Sequence, residues 1–178
     1  MVEVLTHDHR EVEGMFARLE APGITAEQRH DLVEQVTIEL VRHSVAEEQW
    51  LYPAVRRHVA DGDKIADEEI AEHAEVEQAL KDLEGMAADD PAYSAKISTL
   101  IADVRHHVNE EEHELFPKLI AVSSDEDLRE LGAKIEKAKK IAPTRPHPSS
   151  PSTPPANMIL APGVGLIDRL RDALTGRG

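Results

Sequence analysis

The sequence contains no cysteine and only five aromatic residues, two Phe, two Tyr and one Trp, among its 178 residues. Without cysteine, disulfides, zinc ribbons, iron–sulfur clusters and thiol catalysis are excluded. The scarcity of aromatic residues disfavours a β-sandwich or barrel, because strands are enriched in them. Both absences favour a helical protein, and its length is enough for one domain with a real core.

Basic residues and long apolar runs are also scarce. Lys and Arg number 20 against 35 Asp and Glu, which gives a formal charge of −15. Nucleic-acid binding needs a basic face for the phosphates, so we expect no nucleic-acid partner. No apolar run approaches about 18 residues, and the first residues lack the charged-then-apolar pattern of a signal peptide. We therefore expect a soluble cytoplasmic protein without a membrane partner.

Helix-breaking residues divide residues 1–122 into four long amphipathic segments. The breaks fall at Ala21-Pro22-Gly23, at Ala60-Asp61-Gly62-Asp63 and at Asp89-Asp90-Pro91. The predicted helices cover about residues 2–19, 25–59, 64–87 and 93–122. Because short loops make long helices antiparallel neighbours, the sequence predicts an all-α, up-down-up-down four-helix bundle. An additional helix is predicted at Asp125–Ile141, within residues 123–142.

The composition changes sharply after this additional helix. Residues 143–162 are rich in proline and predict an extended linker without a core of its own. Residues 163–178 predict a short C-terminal helix with one apolar stripe, formed by Val164, Ile167, Leu170 and Leu174. So short a helix is marginal alone in water, and we expect it to dock. Two docking sites are open, a flank of the bundle or a protein partner.

Ten histidines are the main anomaly, and seven of them are followed four residues later by glutamate. Two of these pairs belong to an internal repeat. Its copies are His43…Glu47-Glu48…Leu51-Tyr52-Pro53 and His107…Glu111-Glu112…Leu115-Phe116-Pro117. Two helices therefore present the same local chemistry, which is how helix bundles build paired metal sites.

Helical register separates the inward-facing side chains from the outward-facing ones. The inward set comprises four histidines and three glutamates, His9, His43, Glu47, His73, Glu77, His107 and Glu111. The loop midpoints place the four histidines at one level of the bundle, to within about one helical turn. A polar layer in an apolar core is costly unless its charges are paired or bound to metal. Two interpretations remain, a metal centre or a buried hydrogen-bonded network.

The donor types restrict which metal such a centre would hold. Imidazole and carboxylate without thiolate suit iron, manganese or zinc. Six or more ligands exceed the needs of one tetrahedral zinc and predict two metal ions, with Glu47 and Glu111 as the natural bridges. A ferritin-type site would pair two Glu-x-x-His motifs. Only Glu110-x-x-His113 has that spacing, and it faces outward.

With these residues, the sequence resembles the hemerythrin-like, or HHE cation-binding, family over roughly residues 1–122. Asp8-His9-Arg10, His43 to Glu47-Glu48, His73, and His107 to Glu111 match the family motif in order and spacing. The resemblance implies two non-haem iron ions held by His9, His43, His73 and His107. It also implies that Glu47 and Glu111 bridge them, with an additional oxo bridge left open.

Two positions bear on the chemistry of this centre. Glu77 stands where oxygen-carrying hemerythrins have a further histidine, so the resemblance implies a more carboxylate-rich site that favours redox chemistry over reversible O2 carriage. Tyr52 is turned outward by regular helix geometry, and only a bulge at Pro53 would swing it inward. No catalytic residue is identified.

Three functions remain open at this stage. The first is a redox-active di-iron protein that reacts with O2, peroxide or NO, with catalase-like peroxide disproportionation as the candidate enzymatic activity. The second is an iron or oxygen sensor, or O2-binding protein, that signals through its C-terminal tail without turnover. The third is a metal-free structural bundle whose tail presents a helix to a partner.

Overall fold

The computed structural model describes residues 1–175, and its regular structure is helical. Four helical rods form an antiparallel bundle, which confirms the predicted fold class. The rods are α1 (Val2–Leu19), α2 (Ala26–Ala46) continued by α3 (Tyr52–His58), α4 (Gly62–Glu84), and α5 (Pro91–Glu110) continued by α6 (Phe116–Ile120). The additional helix, α7 (Asp125–Ile141), has the predicted bounds, and α8 (Ala156–Thr175) closes the described chain.

Side-chain caps fix where several of these helices begin. Thr25 accepts a hydrogen bond from the Gln28 amide, and the Gln28 side chain accepts one from the Thr25 amide. Ser124 and Asp127 form the same capping box before α7. Asp90 accepts from the Ala92 amide at the start of α5. These local signals explain why helix starts could be predicted from the sequence.

Two short π-helical turns interrupt the second and fourth rods. They cover Glu47–Leu51 and Glu111–Leu115. Each precedes a proline, Pro53 or Pro117, whose ring cannot donate the normal backbone hydrogen bond and crowds the preceding turn. The widened turn shifts the helical register of the residues after it, so Val55 is buried while Ala54, placed on the inner face by regular geometry, is not.

The apolar core has two parts, one on each side of the histidine layer. One part contains Val12, Leu40, Val76 and Val104, with further residues toward the same end of the bundle. The other contains Leu5, Ala46, Ala66 and Leu115 and extends to Ile135 of α7. On every rod the histidine lies between a residue of the first part and a residue of the second. The polar layer is therefore enclosed along the bundle axis.

The C-terminal helix docks by a different face and begins earlier than the sequence suggested. It starts at Ala156, so the segment up to Pro162 is helical rather than extended. Asp168 and Asp172 are buried, whereas Leu170 and Leu174 of the predicted docking stripe are exposed. Thr144 and Arg145 hold the two buried carboxylates. Among the described helices, none has the length and apolar character needed to cross a bilayer.

Candidate metal centre

The four inward histidines meet in two pairs at the centre of the bundle. Nε2 of His9 lies 3.2 Å from Nε2 of His43, and Nε2 of His73 lies 3.1 Å from Nε2 of His107. All four side chains are buried. The imidazoles therefore converge through the same ring nitrogen, which is the arrangement that lets several of them bind a shared ion or ion pair.

A carboxylate holds the other ring nitrogen of each histidine. Nδ1 of His9 lies 2.8 Å from Glu112, and Nδ1 of His107 lies 2.9 Å from Glu72. The remaining two contacts, each 3.3 Å long, join His43 to Asp8 and His73 to Glu48. A carboxylate on Nδ1 fixes the ring orientation and directs the Nε2 lone pair toward the centre, as in histidines that bind metals.

Glu47 and Glu111 lie between the two histidine pairs and are fully buried. One Glu47 oxygen is 3.1 Å from His43 Nε2 and 3.4 Å from His73 Nε2. Both Glu47 oxygens and one Glu111 oxygen nevertheless make no hydrogen bond of acceptable geometry. Buried carboxylate oxygens without partners are costly, and a cation would satisfy them. We define the inner centre as His9, His43, Glu47, His73, His107 and Glu111.

Tyr52 also enters this layer, contrary to the outward orientation expected from regular geometry. The amide of Tyr52 bonds to the Glu47 carbonyl across the π-helical turn, and the extra residue rotates the side chain inward. The hydroxyl donates to Glu111 Oε1 at 3.2 Å and lies 3.0 Å from His73 Nε2. Pro53 was the signal for this bulge, but only the folded backbone shows which way the ring turns.

The structure does not bring Glu77 to the inner centre. Its carboxylate accepts a hydrogen bond of 2.7 Å from the backbone amide of His147 in the proline-rich segment. Glu69, two helical turns earlier on α4, approaches instead, with an oxygen 3.0 Å from His107 Nδ1. Glu69, His107 and Glu111 offer ligand atoms within 4.8 Å of one another. Glu69 lies one helical turn before His73 on the same buried face of α4, but the pattern of a glutamate four residues after a histidine does not include it.

The charges of this layer shift its pKa values strongly. Burial alone would lower the pKa of His43, but Glu47 and Asp8 outweigh burial and raise that pKa to about 10. Burial opposes ionisation of Glu47, yet His43 and His73 keep the pKa of its carboxyl well below the usual range. Burial, reinforced by the Glu111 charge, raises the pKa of Tyr52 well above its usual value. A cation bound here would take the place of histidine protons.

The repeat extends over the whole inner centre. His9 and His43 are 34 residues apart, as are His73 and His107. The carboxylates that support the histidines also repeat. Asp8 and Glu72 each directly precede the first histidine of their half, and Glu48 and Glu112 each directly follow the central glutamate of their half. This spacing is a sequence signal that could have identified all four supporting carboxylates.

A largely apolar cavity of about 280 Å³ opens beside the four histidines. Its walls include Val12, Phe16, Leu40, Val76 and Val104. A space of this size admits a diatomic molecule or peroxide.

The remaining histidine–glutamate pairs lie outside the inner centre. His7 is exposed and His30 is half-buried, and each pairs with a glutamate one turn along its own helix. Glu13, which follows His9 by four residues, pairs with Arg105. His106 is exposed beside Glu110.

Comparisons with known proteins show which family the chain resembles. The family model described as the hemerythrin HHE cation-binding domain matches residues 1–119. An uncharacterized hemerythrin-like protein of Schizosaccharomyces pombe is 28% identical over 175 residues, covering 97% of this chain and 85% of that protein. A DNA nickase of Nostoc is 26% identical over 137 residues, which are 77% of this chain but only 38% of that protein. The crystal structure of a hemerythrin HHE cation-binding domain-containing protein from Mycobacterium kansasii matches with a TM-score of 0.64 and 29% identity, over 78% of this chain and 86% of that chain.

Proposed function

The chain belongs to the hemerythrin HHE cation-binding family, and from that premise we propose that it is a non-haem di-iron protein that reacts with O2, peroxide or NO. Peroxide disproportionation is the proposed activity if the protein turns over. The observation that carries the proposal is the set of fully buried Glu47 and Glu111 oxygens that lack hydrogen-bond partners beside four converging imidazoles.

The donor atoms suggest how the chain would hold the ions. His9 and His43 would serve one iron, and His73 and His107 the other, because each pair converges through Nε2. Glu47 would bridge the two ions, since its carboxylate lies within 4.8 Å of ligand atoms from both histidine pairs. Glu111 would be the second bridge, because its carboxylate lies near the ligand atoms of His9 and His43 and near that of His107. Imidazole and carboxylate together suit iron, and iron held there would supply one-electron redox chemistry for small oxygen and nitrogen species.

The protein's own groups would shape that chemistry. The four carboxylates on Nδ1 orient the imidazoles and raise their basicity. The largely apolar walls of the cavity beside the histidines would favour entry of small uncharged molecules. The Tyr52 hydroxyl, held between His73 and Glu111, can donate a hydrogen bond inside the site. No other phenol is in contact with the inner centre within the described residues.

Metal analysis of the purified full-length protein tests the proposal. We expect about two irons per chain and an absorbing ferric form in air. His43→Ala should abolish iron binding. His7→Ala is the control and should retain iron, because His7 also pairs with a glutamate four residues later but is exposed. Peroxide consumption and NO binding by the loaded protein then separate the reactions. Zinc in place of iron, or full iron content in His43→Ala, would overturn the assignment.

A sensor remains the second candidate, because the tail is bonded to a helix of the inner centre. Helix α4 carries His73 and also Glu77, which holds the His147 amide, and Glu84, which pairs with Arg145. Iron binding that reduces the motion of α4 would then also reduce the motion of the tail. Hydrogen exchange of residues 156–174 with and without iron tests this, and identical protection together with rapid peroxide turnover would count against sensing.

Two further aspects stay predictions. A cytoplasmic location is one. The other is the lack of a nucleic-acid partner, for which the formal charge of −15 argues despite the likeness to part of a nickase.

A further inference from the structure

Outside the inner centre, three side chains with metal-binding groups converge on the surface between α4 and α5. Glu72, His106 and Glu110, which we call the outer cluster, offer ligand atoms within 4.8 Å of one another. His106 is exposed and Glu110 is half-buried, with 66% and 38% of their side chains accessible, and solvent ions can therefore reach them. Two carboxylates and an imidazole suit a divalent transition metal better than calcium or magnesium, which prefer oxygen alone.

The outer cluster borders an acidic cavity that leads inward. This cavity, of about 630 Å³, is lined by Glu69, Glu72 and Glu110. Its two lysines are taken by other partners, since Lys64 pairs with Glu68 and Lys118 with Glu114. Within the described part of the chain, no lysine or arginine forms an ion pair with Glu69, Glu72 or Glu110.

Glu69 is a buried carboxylate next to the outer cluster. The residue is only 6% exposed, and its Oε2 atom lies 3.0 Å from His107 Nδ1, the same nitrogen that Glu72 approaches, but makes no hydrogen bond of acceptable geometry. It lines the acidic cavity on one side and shares a ligand group with His107 and Glu111 on the other. A buried carboxylate oxygen in this position connects the outer cluster to the inner centre.

The other half of the internal repeat serves as a built-in comparison, because it lacks these groups. The residues that match Glu69, His106 and Glu110 there are Leu5, Arg42 and Ala46. Asp8, which matches Glu72, is taken by Lys139. The repeat explains Glu72 as a support for His107, but it does not explain why one half alone carries the rest of the cluster.

We propose that Glu72, His106 and Glu110 bind a divalent transition-metal ion at the surface and that Glu69 passes it to the inner centre. The surface binding stands on its own, whereas the delivery step rests on the proposed iron centre. Iron would enter from the α4–α5 side through carboxylates, and small reactants would use the separate apolar cavity near α1.

The test replaces two accessible ligands by the residues of the other half, in the double variant His106→Arg/Glu110→Ala. Glu72 is left intact because it also supports His107. His7→Ala is the matched control. Equilibrium dialysis of the iron-loaded full-length protein with Co²⁺ should find one more Co²⁺ per chain in the wild type and in His7→Ala than in the double variant. Equal Co²⁺ binding by all three proteins would overturn the outer site.

Stopped-flow uptake of Fe²⁺ by the metal-free protein tests delivery. The double variant should load at least about fivefold more slowly but reach the same final iron content, and an unchanged rate would overturn the role in delivery. If no variant or wild-type protein loads iron, the proposed function fails. The Co²⁺ comparison, repeated on the metal-free chain, still decides whether the outer site exists.

Discussion

Tyr52 and Phe116 occupy matching positions in the two halves of the repeat, but only Tyr52 brings a hydroxyl to the inner centre. The Phe116 ring stacks on His9 with centroids 6.0 Å apart, whereas the Tyr52 ring tilts against His73 at 5.3 Å. The Tyr52 hydroxyl reaches both His73 and Glu111. The two halves are therefore alike in their imidazoles and supporting carboxylates but differ in the proton-bearing groups they supply.

The first prediction concerns the Tyr52 hydroxyl in the metal-free protein. Tyr52→Phe keeps the ring but leaves a fully buried Glu111 oxygen without its donor. We expect the free energy of unfolding to fall by about 1–3 kcal/mol, because a buried charged acceptor loses its partner. Urea denaturation at neutral pH measures it.

Tyr93→Phe is the matched control, because the Tyr93 hydroxyl is buried without a hydrogen-bond partner. Its removal should be neutral or slightly stabilising. Equal losses of stability in the two variants would show that the Tyr52 contacts contribute nothing specific.

The second prediction is a pH dependence of the metal-free protein. The pKa of His43 is raised to about 10 in the folded chain, against about 6.5 in the unfolded chain. The folded state therefore binds the extra proton, and this stabilisation is complete below about pH 6.5 and is lost as the pH rises toward 10. His43 alone lowers the free energy of unfolding by up to about 1.4 kcal/mol per pH unit across this range, and His107, whose pKa despite burial is also raised well above its usual value by Glu111, makes the fall steeper.

Urea denaturation at pH 7, 8 and 9 measures this slope, and the iron-loaded protein is its control. A bound cation replaces the proton, so the loaded protein should lose much less stability over the same range. A metal-free protein whose stability is flat or rises with pH would contradict the charge state that we assign to His43.

The sequence allowed the fold and the four histidines to be predicted, because both depend on the helical period and on loop positions. The inward orientation of Tyr52 could not be predicted, because the π-helical turn before Pro53 changes the helical period locally. The size of that change depends on the neighbouring rods. Glu69 was not predicted because the His–Glu pattern places glutamate four residues after a histidine, whereas Glu69 lies four residues before His73. The docked face of α8 could not be predicted from its own residues, because Asp168 and Asp172 find their hydrogen-bond partner, Thr144, in a distant segment of the chain.

The third prediction separates Glu69 from Glu77 as candidate ligands. Glu69→Gln should weaken iron binding by about 10- to 100-fold, because it removes a charge beside His107 and Glu111. Glu77→Gln should leave iron affinity nearly unchanged, since its carboxylate faces the His147 amide. Competition with a chelator of known affinity measures both. The reverse order would restore Glu77 to the ligand set.

The fourth prediction concerns how tightly α8 is docked. A Cβ at Gly165 would lie 2.4 Å from the Ile141 carbonyl oxygen, so Gly165→Ala should push α8 away from the end of α7. Hydrogen exchange of residues 156–174 should then accelerate. Gly163→Ala meets no atom within 4 Å and should instead stabilise the helix by about 0.5–1 kcal/mol. Equal exchange in the two variants would mean that α8 does not pack as described.

The fifth prediction tests whether the apolar cavity is the path of small reactants. Val104 is buried and lines the cavity beside the histidines. In Val104→Phe the larger ring has empty space to enter, so stability should change by no more than about 1 kcal/mol, less than ordinary overpacking costs. Iron content should stay the same, while NO binding and peroxide consumption by the loaded protein slow severalfold.

Val33→Phe, in the same core but away from the cavity, controls for general loss of packing. Unchanged reaction rates in Val104→Phe at full iron content would show that reactants reach the iron by another route.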